Sequence, residues 1–388
     1  MKIIIFDGSF KTTTFINRLI EGLANEHEVF VLGFNENTKT KIAGVHYIGL
    51  GSNTSIITFI IRSLQLRGFN IVLQCKLFLQ LFNRRKNTIR NENIQMAINT
   101  IQPDILHFQW VSLLVYLEFL KLPKHTKTIL SQRGSQINIV PFIDTYNKKL
   151  LNRFFKKLDG FHSVSAAIQK KSNLIYNDTN KIDEVVYSGF DIGNFPCKGY
   201  NQFDKKIRVL SVGREHWVKD YRTAILAMDL LHKNNIDFHY TIVGVDKSEE
   251  LLYLVSELGL KNQITFIDRI PQKAVYKKMI ASDLFLLPSI EEGIANVCIE
   301  AMLCKLPVIS TNCGGMSELI IDNKTGFLVP TRNPQAIVYS TLALLSKDAK
   351  EVDKIVSNAY MKALKQHSIT SMVRGMEELY RNVFNTSL

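Results

Sequence analysis

Two glutamates, Glu292 and Glu300, lie eight residues apart where an apolar run is followed by a polar loop and a helical segment. Glu292 falls in the loop, and Glu300 falls about one turn inside the helix. Carboxylates at such places accept hydrogen bonds from vicinal hydroxyls, as an acidic residue does for ribose in dinucleotide-binding folds. Taken singly, each glutamate is better explained as an exposed or structural carboxylate, so the inference depends on the residues around them.

The segment that joins the two glutamates has the features of a phosphate-binding loop. Gly293 lets the backbone approach a ligand closely. The helix predicted from about Asn296 to Cys304 would present free N–H groups and the positive end of its dipole. A strand at Val308–Ser310 and a Gly314-Gly315 turn follow. In a parallel sheet this arrangement lies at the carboxyl ends of the strands, where ligands bind.

Apolar runs that alternate with helical periodicity predict parallel sheets and an α/β fold. Two strand–turn–helix starts, one at Lys2–Phe6 and one at Ile207–Val212, predict two Rossmann-like domains. The polar stretch Gly193–Lys206 is the predicted boundary, which separates residues 1–195 from residues 196–369. The predicted strands are Lys2–Phe6, Glu28–Leu32, Ile105–Phe108, Thr128–Leu130, Gly160–Val164, Asp183–Val186, Ile207–Val212, Phe238–Val243, Gln263–Ile267, Leu284–Leu287 and Pro307–Ser310.

Positive charge is concentrated in the first half of the chain. Residues 1–190 carry 24 Lys and Arg against 13 Asp and Glu, whereas residues 191–388 carry 24 against 22. Such asymmetry suggests an anionic partner, such as membrane lipid, a lipid-linked phosphate or nucleic acid, although excess lysine can also simply favour solubility. No helix-turn-helix, zinc or RNP-type motif supports a nucleic-acid partner, so we expect none.

One segment of that half, residues 59–90, combines Phe, Leu and Ile with seven Lys or Arg and no acid. A basic amphipathic helix of this kind can lie on an anionic membrane. We favour an ordinary helix that packs its apolar face on the sheet, and keep membrane or lipid-acceptor contact as the alternative. No apolar run reaches the length of a membrane span, and the run after Lys2 lacks a signal peptide's features, so we expect a cytoplasmic protein. Peripheral contact with the inner face of the cytoplasmic membrane stays open.

Taken together, residues 284–329 resemble the signature of the retaining GT-B glycosyltransferases of family 4. That signature has two glutamates separated by seven residues, an Ala-Met/Leu pair, a Pro-Val pair, a Gly-Gly pair and a Thr-Gly pair. The matching residues here are Glu292, Glu300, Ala301-Met302, Pro307-Val308, Gly314-Gly315, Glu318 and Thr325-Gly326.

The resemblance assigns roles around the nucleotide sugar that these enzymes use as donor. It implies that Glu292 holds hydroxyls of the donor sugar and that Glu300 holds the ribose. Backbone N–H groups of the loop would hold sugar hydroxyls, and those of the following helix start would face the diphosphate. The loop residues are Gly293, Ile294, Ala295 and Asn296, and the helix start is Val297 with Cys298.

A second match is the sequence VGREHWVKD, which resembles the family's Gly-Arg…Lys element. There Gly213 forms the turn, and Arg214 and Lys219 would clamp the donor diphosphate and stabilise its charge as it leaves. The family usually has a glycine where this chain has Asp220. The loop Asp268–Pro271, with Arg269 and Ile270, falls where the family cradles the base.

The N-terminal half resembles the family more weakly. Gly8 and Ser9 occupy the position of the acceptor-side glycine loop, without the usual Gly-Gly pair. His107 ends an apolar strand as in the family, and is otherwise explained as a hydrogen-bonded core histidine. Arg133-Gly134 stands where many members carry a His-Gly or Arg-Gly element beside the reacting sugar, so Arg133 could bind an acceptor or donor phosphate.

The resemblance implies a GT-B fold with two Rossmann-like domains facing across a cleft. Residues 1–195 would bind the acceptor, with the C-terminal helix at about 370–388 packing back onto them, and residues 196–369 would bind the donor. The reaction implied is transfer of a hexosyl-type sugar, with retention, to a saccharide or polyprenyl-linked acceptor in capsule, exopolysaccharide or lipopolysaccharide synthesis. A UDP-sugar is the favoured donor.

No cofactor and no metal are expected, because the sequence contains no DxD pair that could hold a metal–diphosphate complex. Arg214, Lys219 and the helix N-terminus would neutralise the diphosphate instead. Two alternatives with the same fold remain open. One is a sugar-nucleotide enzyme of the UDP-sugar 2-epimerase type, and the other is a non-catalytic partner subunit.

Overall fold

The computed structural model describes residues 1–10, 13–34, 41–199 and 203–385. Two units are separable by their internal contacts: Met1–Val164 with Ile168–Phe190 and Ile369–Leu388, and Ser165–Ala167 with Asp191–Ser368. Part of the predicted boundary stretch, residues 200–202, lies outside the described residues, as do residues 386–388 of the predicted C-terminal helix.

The first unit contains a seven-stranded sheet in which every pair of neighbours is parallel. Its strand order is β3-β2-β1-β4-β5-β6-β7. The apolar run in the interior strand Lys2–Gly8 is buried on both faces, as expected when helices cover both sides of a parallel sheet. The strands are β1 (Lys2–Gly8), β2 (Glu28–Gly33), β3 (Val45–Gly49), β4 (Ile105–Phe108), β5 (Lys127–Gln132), β6 (Gly160–Ser163) and β7 (Ile182–Val185).

Helices connect the strands of this unit, and the last helix of the chain also belongs to it. They are α1 (Thr14–Leu23), α2 (Ile56–Arg67), α3 (Ile71–Phe82), α4 (Lys86–Ile101), α5 (Ser135–Asn138), α6 (Val140–Ile143), α7 (Thr145–Phe155), α8 (Ala166–Asn173) and α16 (Ile369–Asn385). Along α16 the residues Met372, Met376, Leu379, Tyr380 and Val383 recur at helical spacing and are buried in one core cluster with α1 and the sheet.

The second unit contains a six-stranded parallel sheet in the order β10-β9-β8-β11-β12-β13. Strands are added on one side of β8 up to β10 and then on its other side from β11 onward, so the strand order reverses between β8 and β11. This reversal creates the topological switch point where ligands bind in such sheets. The strands are β8 (Ile207–Val212), β9 (Phe238–Val243), β10 (Ile264–Ile267), β11 (Leu284–Leu287), β12 (Val308–Thr311) and β13 (Phe327–Val329).

Seven α-helices are described in the second unit. They are α9 (Tyr221–Lys233), α10 (Glu249–Glu257), α11 (Gln272–Ala281), α12 (Asn296–Leu303), α13 (Met316–Leu319), α14 (Pro334–Leu345) and α15 (Ala349–Gln366). Within the parts of the chain that the structure describes, no helix is both long and apolar enough to cross a membrane.

Candidate functional site

Two loops meet at the switch point of the second sheet, one after β8 and one after β11. The Ile290 N–H donates to the Val218 carbonyl at 2.7 Å, so the loop backbones are directly linked. The Lys219 Nζ lies 2.5 Å from the Glu292 Oε1, with side chains only 18% and 15% exposed. Residues drawn from two separate sequence motifs, about 70 positions apart, are therefore in contact where a ligand is expected to bind.

Residues at the carboxyl ends of β11 and β12 hold Glu292 in place. The Ser289 hydroxyl donates to the Glu292 Oε1 at 2.8 Å, and Ser289 is itself completely buried. Thr311, the last residue of β12, donates from its hydroxyl to the Ser289 carbonyl at 2.5 Å. Because residues at the ends of β11 and β12 hold this carboxylate, its position in the loop is set before any ligand arrives.

Asp220, where the sequence departs from the family's usual glycine, has a clear local role. Its backbone is left-handed, with φ of 46°, a conformation that glycine and aspartate tolerate best. Its carboxylate accepts hydrogen bonds from the Thr223 N–H at 3.3 Å and the Thr223 hydroxyl at 2.7 Å, and so caps α9. The turn that glycine would allow is thus kept by an aspartate that also stabilises the next helix.

Gly213 and Arg214 open the loop after β8. The Tyr221 hydroxyl donates to the Gly213 carbonyl at 2.9 Å, which ties the start of the loop to α9. Arg214 is exposed, and within the described ranges its side chain makes no hydrogen bond or ion pair. Its guanidinium is therefore available to an anionic ligand at the same loop that carries Lys219.

The Gly314-Gly315 turn fixes the backbone of the β11 loop. The Gly315 N–H donates to the carbonyls of Glu292 at 3.3 Å and Gly293 at 3.0 Å. A Cβ on Gly314 would lie 1.7 Å from the Glu292 carbonyl oxygen, and one on Gly315 would lie 2.1 Å from the Gly293 carbonyl oxygen. Only glycine permits this approach, which explains the pair in physical terms.

The residues predicted to hold sugar hydroxyls and the diphosphate form the approach to α12 and its first turn. They are Gly293, Ile294, Ala295 and Asn296 for the sugar, and Val297 and Cys298 for the diphosphate. Ala295 is the N-cap residue, and no side chain caps the helix among the described residues. The Asn296 and Val297 N–H groups are therefore left for solvent or a ligand at the positive end of the helix dipole, whereas the predicted diphosphate contact Cys298 already donates its N–H to the Ala295 carbonyl at 2.9 Å.

Glu300 lies inside α12 and is 9% exposed. Its Oε1 accepts a hydrogen bond from the Gln272 Nε2 at 2.6 Å, with the Tyr276 hydroxyl at 3.5 Å. Neither α11 residue was predicted from sequence, although the helix that carries both begins directly after the predicted base loop. Of that loop, Arg269 is exposed and its N–H donates to the Asp268 carboxylate, while Ile270 is half-buried.

In the first unit, His107 belongs to a buried chain of hydrogen bonds. Its Nδ1 lies 2.7 Å from the Tyr380 hydroxyl, and its Nε2 lies 2.8 Å from the Ser131 Oγ. The Ser131 Oγ lies 2.8 Å from the His162 Nδ1, and the His162 Nε2 lies 2.8 Å from the Val186 carbonyl. Because a carbonyl can only accept, the His162 Nε2 carries the proton and its Nδ1 accepts from Ser131.

This direction fixes the tautomer of His107. Ser131 donates to His162, so it accepts from the His107 Nε2–H, and the His107 Nδ1 accepts from Tyr380. Burial, together with His162 and Arg133, holds the pKa of His107 well below its usual value, so the ring is neutral. The role of His107 beside a reacting sugar stays a prediction. Both ring nitrogens are already hydrogen-bonded, to Tyr380 and Ser131, so His107 would act on a sugar only through Ser131.

Arg133 lies next to this chain and next to Asp7. Its Nη2 donates to the Ser131 Oγ at 3.2 Å, and its Cζ lies 4.4 Å from the centre of the Phe15 ring. Burial lowers the pKa of Arg133 to about 9, which leaves the guanidinium charged at neutral pH. In the part of the chain that is described, its Nε and Nη1 are buried without a hydrogen-bond partner. Such unsatisfied donors are typical of groups that a ligand or water completes.

The other predicted acceptor-side residues lie at the strand ends of the same sheet. Gly8 has φ of 76° and ends β1, followed by Ser9, and Gly134 has φ of 50° after β5. Asp7 and Trp110 were not predicted: the Trp110 Nε1 donates to the Asp7 Oδ1 at 2.7 Å. The residue types gave no signal for that pair, because only the parallel register of β1 and β4 brings them together.

Burial raises the pKa of Asp7 from 3.8 to about 6, although Trp110 and Arg133 act in the opposite direction. Folding therefore favours the protonated carboxyl over the carboxylate. The free energy of unfolding that protonated Asp7 contributes is fully present below about pH 4 and is lost as the pH rises to about 6. We expect wild type to lose about 3 kcal/mol of stability relative to Asp7→Asn over that range. Urea unfolding of both proteins across the range measures this, and a constant difference would contradict it.

Comparison with known proteins gives a family match in the second half of the chain. Residues 198–362 match the family model described as Glycosyl transferases group 1. Over 239 residues the chain is 29% identical to the amylovoran biosynthesis glycosyltransferase AmsK of Erwinia amylovora, a match that covers 58% of this chain and 58% of that protein. The matched part thus spans under two thirds of the length of this curated relative.

Two solved structures cover almost the whole chain. The sucrose-phosphate synthase of Thermosynechococcus elongatus aligns with a TM-score of 0.77 at 17% identity, over 100% of both chains. Anabaena Alr3699/HepE, solved in complex with UDP and glucose, aligns with a TM-score of 0.72 at 18% identity, over 98% of this chain and 100% of that chain. The likeness confirms the predicted GT-B fold class with two Rossmann-like domains, and residues 198–362 carry the group 1 glycosyltransferase pattern within it.

Proposed function

We propose that this protein is a GT-B glycosyltransferase of the group 1 type, related to the retaining family 4 enzymes. It would transfer a hexosyl-type sugar from a nucleotide sugar, with a UDP-sugar as the favoured donor. The observation that carries the proposal is the Lys219–Glu292 contact at the switch point of the second sheet, beside the uncapped start of α12. A cation, a carboxylate and free N–H groups are what a sugar diphosphate requires there.

In the proposed reaction the bond from the sugar's anomeric carbon to the diphosphate breaks, and a bond to an acceptor hydroxyl forms. Arg214, Lys219 and the first N–H groups of α12 would stabilise the charge that gathers on the leaving diphosphate. The acceptor proton would pass to that diphosphate, in a front-face attack that retains configuration. Glu292 would hold donor-sugar hydroxyls and keep Lys219 in position.

The nucleoside would lie along the strand ends towards α11. Glu300 would accept hydrogen bonds from the ribose hydroxyls, and Gln272, already 2.6 Å from its carboxylate, would orient it. The loop with Arg269 and Ile270 would contact the base. A buried carboxylate that is held by a neutral amide stays available as an acceptor, because the amide adds no competing charge.

The acceptor would bind to the first unit, at Gly8, Ser9, Gly134 and Arg133. The unsatisfied Nε and Nη1 of Arg133 suit an anionic group, such as a phosphate of a lipid-linked saccharide. The relative AmsK is named for amylovoran biosynthesis. We therefore propose an acceptor from exopolysaccharide, capsule or lipopolysaccharide assembly, reached from the cytoplasmic side of the membrane.

A thermal-shift screen against UDP, GDP, ADP, CMP and dTDP sugars tests the donor site. Because a ligand that binds only the folded state stabilises it by mass action, we expect one nucleotide class to raise the melting temperature. The shift is expected to disappear in Glu300→Ala and Arg214→Ala. If none of the nucleotides produces a shift, the donor-site proposal is wrong.

Metal removal tests the proposed charge neutralisation by the protein itself. The described residues contain no group of three or more His, Cys, Asp or Glu that could hold a metal ion. We expect sugar transfer to continue at the same rate within about twofold in excess EDTA, because Arg214 and Lys219 would supply the cations. A loss of transfer that Mg²⁺ or Mn²⁺ restores would contradict this part of the proposal.

Two alternative functions give different products. An epimerase of the UDP-sugar type would convert the nucleotide sugar without an acceptor. A non-catalytic partner would bind the nucleotide and release nothing. Release of free nucleoside diphosphate that requires an acceptor supports transfer, and the arrangement of Arg214, Lys219 and Glu292 favours it over both alternatives.

A further inference from the structure

The helical hairpin α2–α3 exposes an unusual amount of apolar surface. Of the 22 large apolar side chains that are exposed in the described chain, nine lie between residues 56 and 82. We call these nine the hairpin surface, and they are Ile56, Ile57, Ile61, Phe69, Ile71, Val72, Phe78, Leu79 and Phe82. Exposed apolar patches of this kind on a protein mark sites that contact a partner or a membrane.

The apolar face of α3 points outward, which corrects the expectation that it packs on the sheet. Ile71, Phe78 and Phe82 recur at helical spacing and are all exposed, whereas Leu77 and Gln80 are buried on the opposite face. Phe69, in the turn before α3, is fully exposed, and Phe82 is 88% exposed. A helix in water would normally bury this stripe.

A buried polar network holds the hairpin in this orientation. Arg67, which is 4% exposed, donates to the Glu92 Oε2 at 2.9 Å and to the Asn93 Oδ1 at 2.7 Å. The Gln80 Nε2 of α3 donates to the Glu92 Oε1 at 2.8 Å. Rotating α3 to bury its phenylalanines would move Gln80 and Lys76 away from Glu92 and would break the contacts that join α3 to this network, which is unfavourable. The outward apolar face is therefore a fixed feature of the fold.

The charged residues of the hairpin segment itself are all basic. Residues 41–91 contain eight Lys or Arg and no acid. Arg84 and Arg85 are exposed at the end of the hairpin, beside Phe82. The nearest acid along the chain, Glu92, is already bound by Arg67 and Lys76. An apolar stripe bordered by uncompensated arginines is complementary to a bilayer with anionic headgroups, since each arginine can meet a lipid phosphate while the phenylalanines enter the acyl boundary.

We propose that the hairpin surface docks this protein onto a bilayer that contains anionic phospholipid. A second copy of the chain is a poorer partner, because symmetric pairing would bring the two sets of arginines together without acids to oppose them. The docking does not depend on the proposed sugar transfer, since it uses none of the residues of the donor site.

Co-sedimentation of the full chain with vesicles tests the proposal. The vesicles are phosphatidylcholine alone, or phosphatidylcholine with phosphatidylglycerol. We expect binding to the anionic vesicles that weakens with salt, and little binding to the neutral ones. We expect the vesicle affinity of the Phe69→Ser/Phe82→Ser variant to fall about tenfold or more. The affinity of Arg84→Glu/Arg85→Glu should fall by a similar factor.

A matched control comes from the same unit. Ile143 and Leu174 are 79% and 60% exposed but lie outside the hairpin surface, so Ile143→Ser/Leu174→Ser should bind vesicles like wild type. The hairpin variants should keep the wild-type melting temperature and any nucleotide-induced shift, which separates this proposal from that of the donor site. Equal vesicle binding by wild type and both hairpin variants would overturn it. So would a dimer in sedimentation equilibrium that Phe69→Ser/Phe82→Ser dissociates, which would make the surface an interface between copies.

Discussion

Lys219→Met is expected to lower the rate of sugar transfer about 100- to 1,000-fold, the range found when one preorganised group that stabilises transition-state charge is removed. The Lys219 Nζ lies 2.5 Å from the Glu292 carboxylate in a largely buried position. Methionine keeps the side-chain length and removes the charge, so the leaving diphosphate loses a cation. The Glu292 carboxylate also loses its partner, which adds a repulsion towards the incoming diphosphate. Steady-state kcat and KM with the donor measure the effect.

Lys233 offers a matched control on the same domain. It also pairs with a carboxylate, at 2.6 Å from the Asp229 Oδ2, but its side chain is 66% exposed and lies on the surface of α9. Since exposed pairs contribute little, Lys233→Met should keep activity within about twofold. Activity of Lys219→Met close to that of Lys233→Met, with both proteins folded, would show that Lys219 does not act on the diphosphate.

Gly314→Ala is expected to destabilise the second unit by several kcal/mol, of the order seen for severe overpacking, and to abolish nucleotide binding. Its Cβ would lie 1.7 Å from the Glu292 carbonyl oxygen, a backbone atom that cannot move without displacing the β11 loop. That loop carries Glu292 and Gly293, so stability and donor binding should fall together. Thermal unfolding with and without the nucleotide measures both quantities.

Gly259→Ala separates the collision from the cost of the backbone conformation. Gly259 has φ of 71°, similar in sign to the 49° of Gly314, but a Cβ there meets nothing within 4 Å. Alanine at position 259 should therefore cost only about 1 kcal/mol, the cost of a left-handed residue, and leave nucleotide binding unchanged. Equal effects of the two substitutions would mean that the close approach of the Gly314-Gly315 turn is not what organises the loop.

Much of the fold follows from local pattern. The eleven strands predicted from apolar runs are present, because buried parallel strands are apolar on both faces and are easily recognised. Two strands were missed, β3 at Val45–Gly49 and β13 at Phe327–Val329. Each lies at an edge of its sheet, where a strand pairs on one side only, and β13 has only three residues. Short edge strands leave little periodic signal in a sequence.

Only those residues of the candidate site that belong to recognisable sequence motifs could be predicted. Glu292, Lys219 and the Gly314-Gly315 turn could be predicted because sequence spacing and family resemblance mark them. The Asp7–Trp110 hydrogen bond, the chain from Tyr380 through His107, and the Gln272–Glu300 contact could not, because each joins residues from distant elements. The predicted orientation of α3 was wrong for a similar reason.

That orientation depends on a buried network that sequence pattern does not reveal. The apolar residues of α3 fit a buried stripe, and we expected that stripe to face the sheet. The contacts of Gln80 and Lys76 with Glu92 of α4 instead turn it towards solvent. Local hydrophobicity fixes which face is apolar, whereas long-range polar contacts decide where that face points.

The most direct test of the donor site is a crystal structure of the full chain grown with the nucleoside diphosphate that gives the largest thermal shift. We expect both phosphates within hydrogen-bonding distance of the N–H groups that begin α12 and of the Arg214 and Lys219 side chains. The ribose hydroxyls should contact Glu300. A nucleotide bound at any other surface, with no ligand at the loops that carry Lys219 and Glu292, would contradict the account.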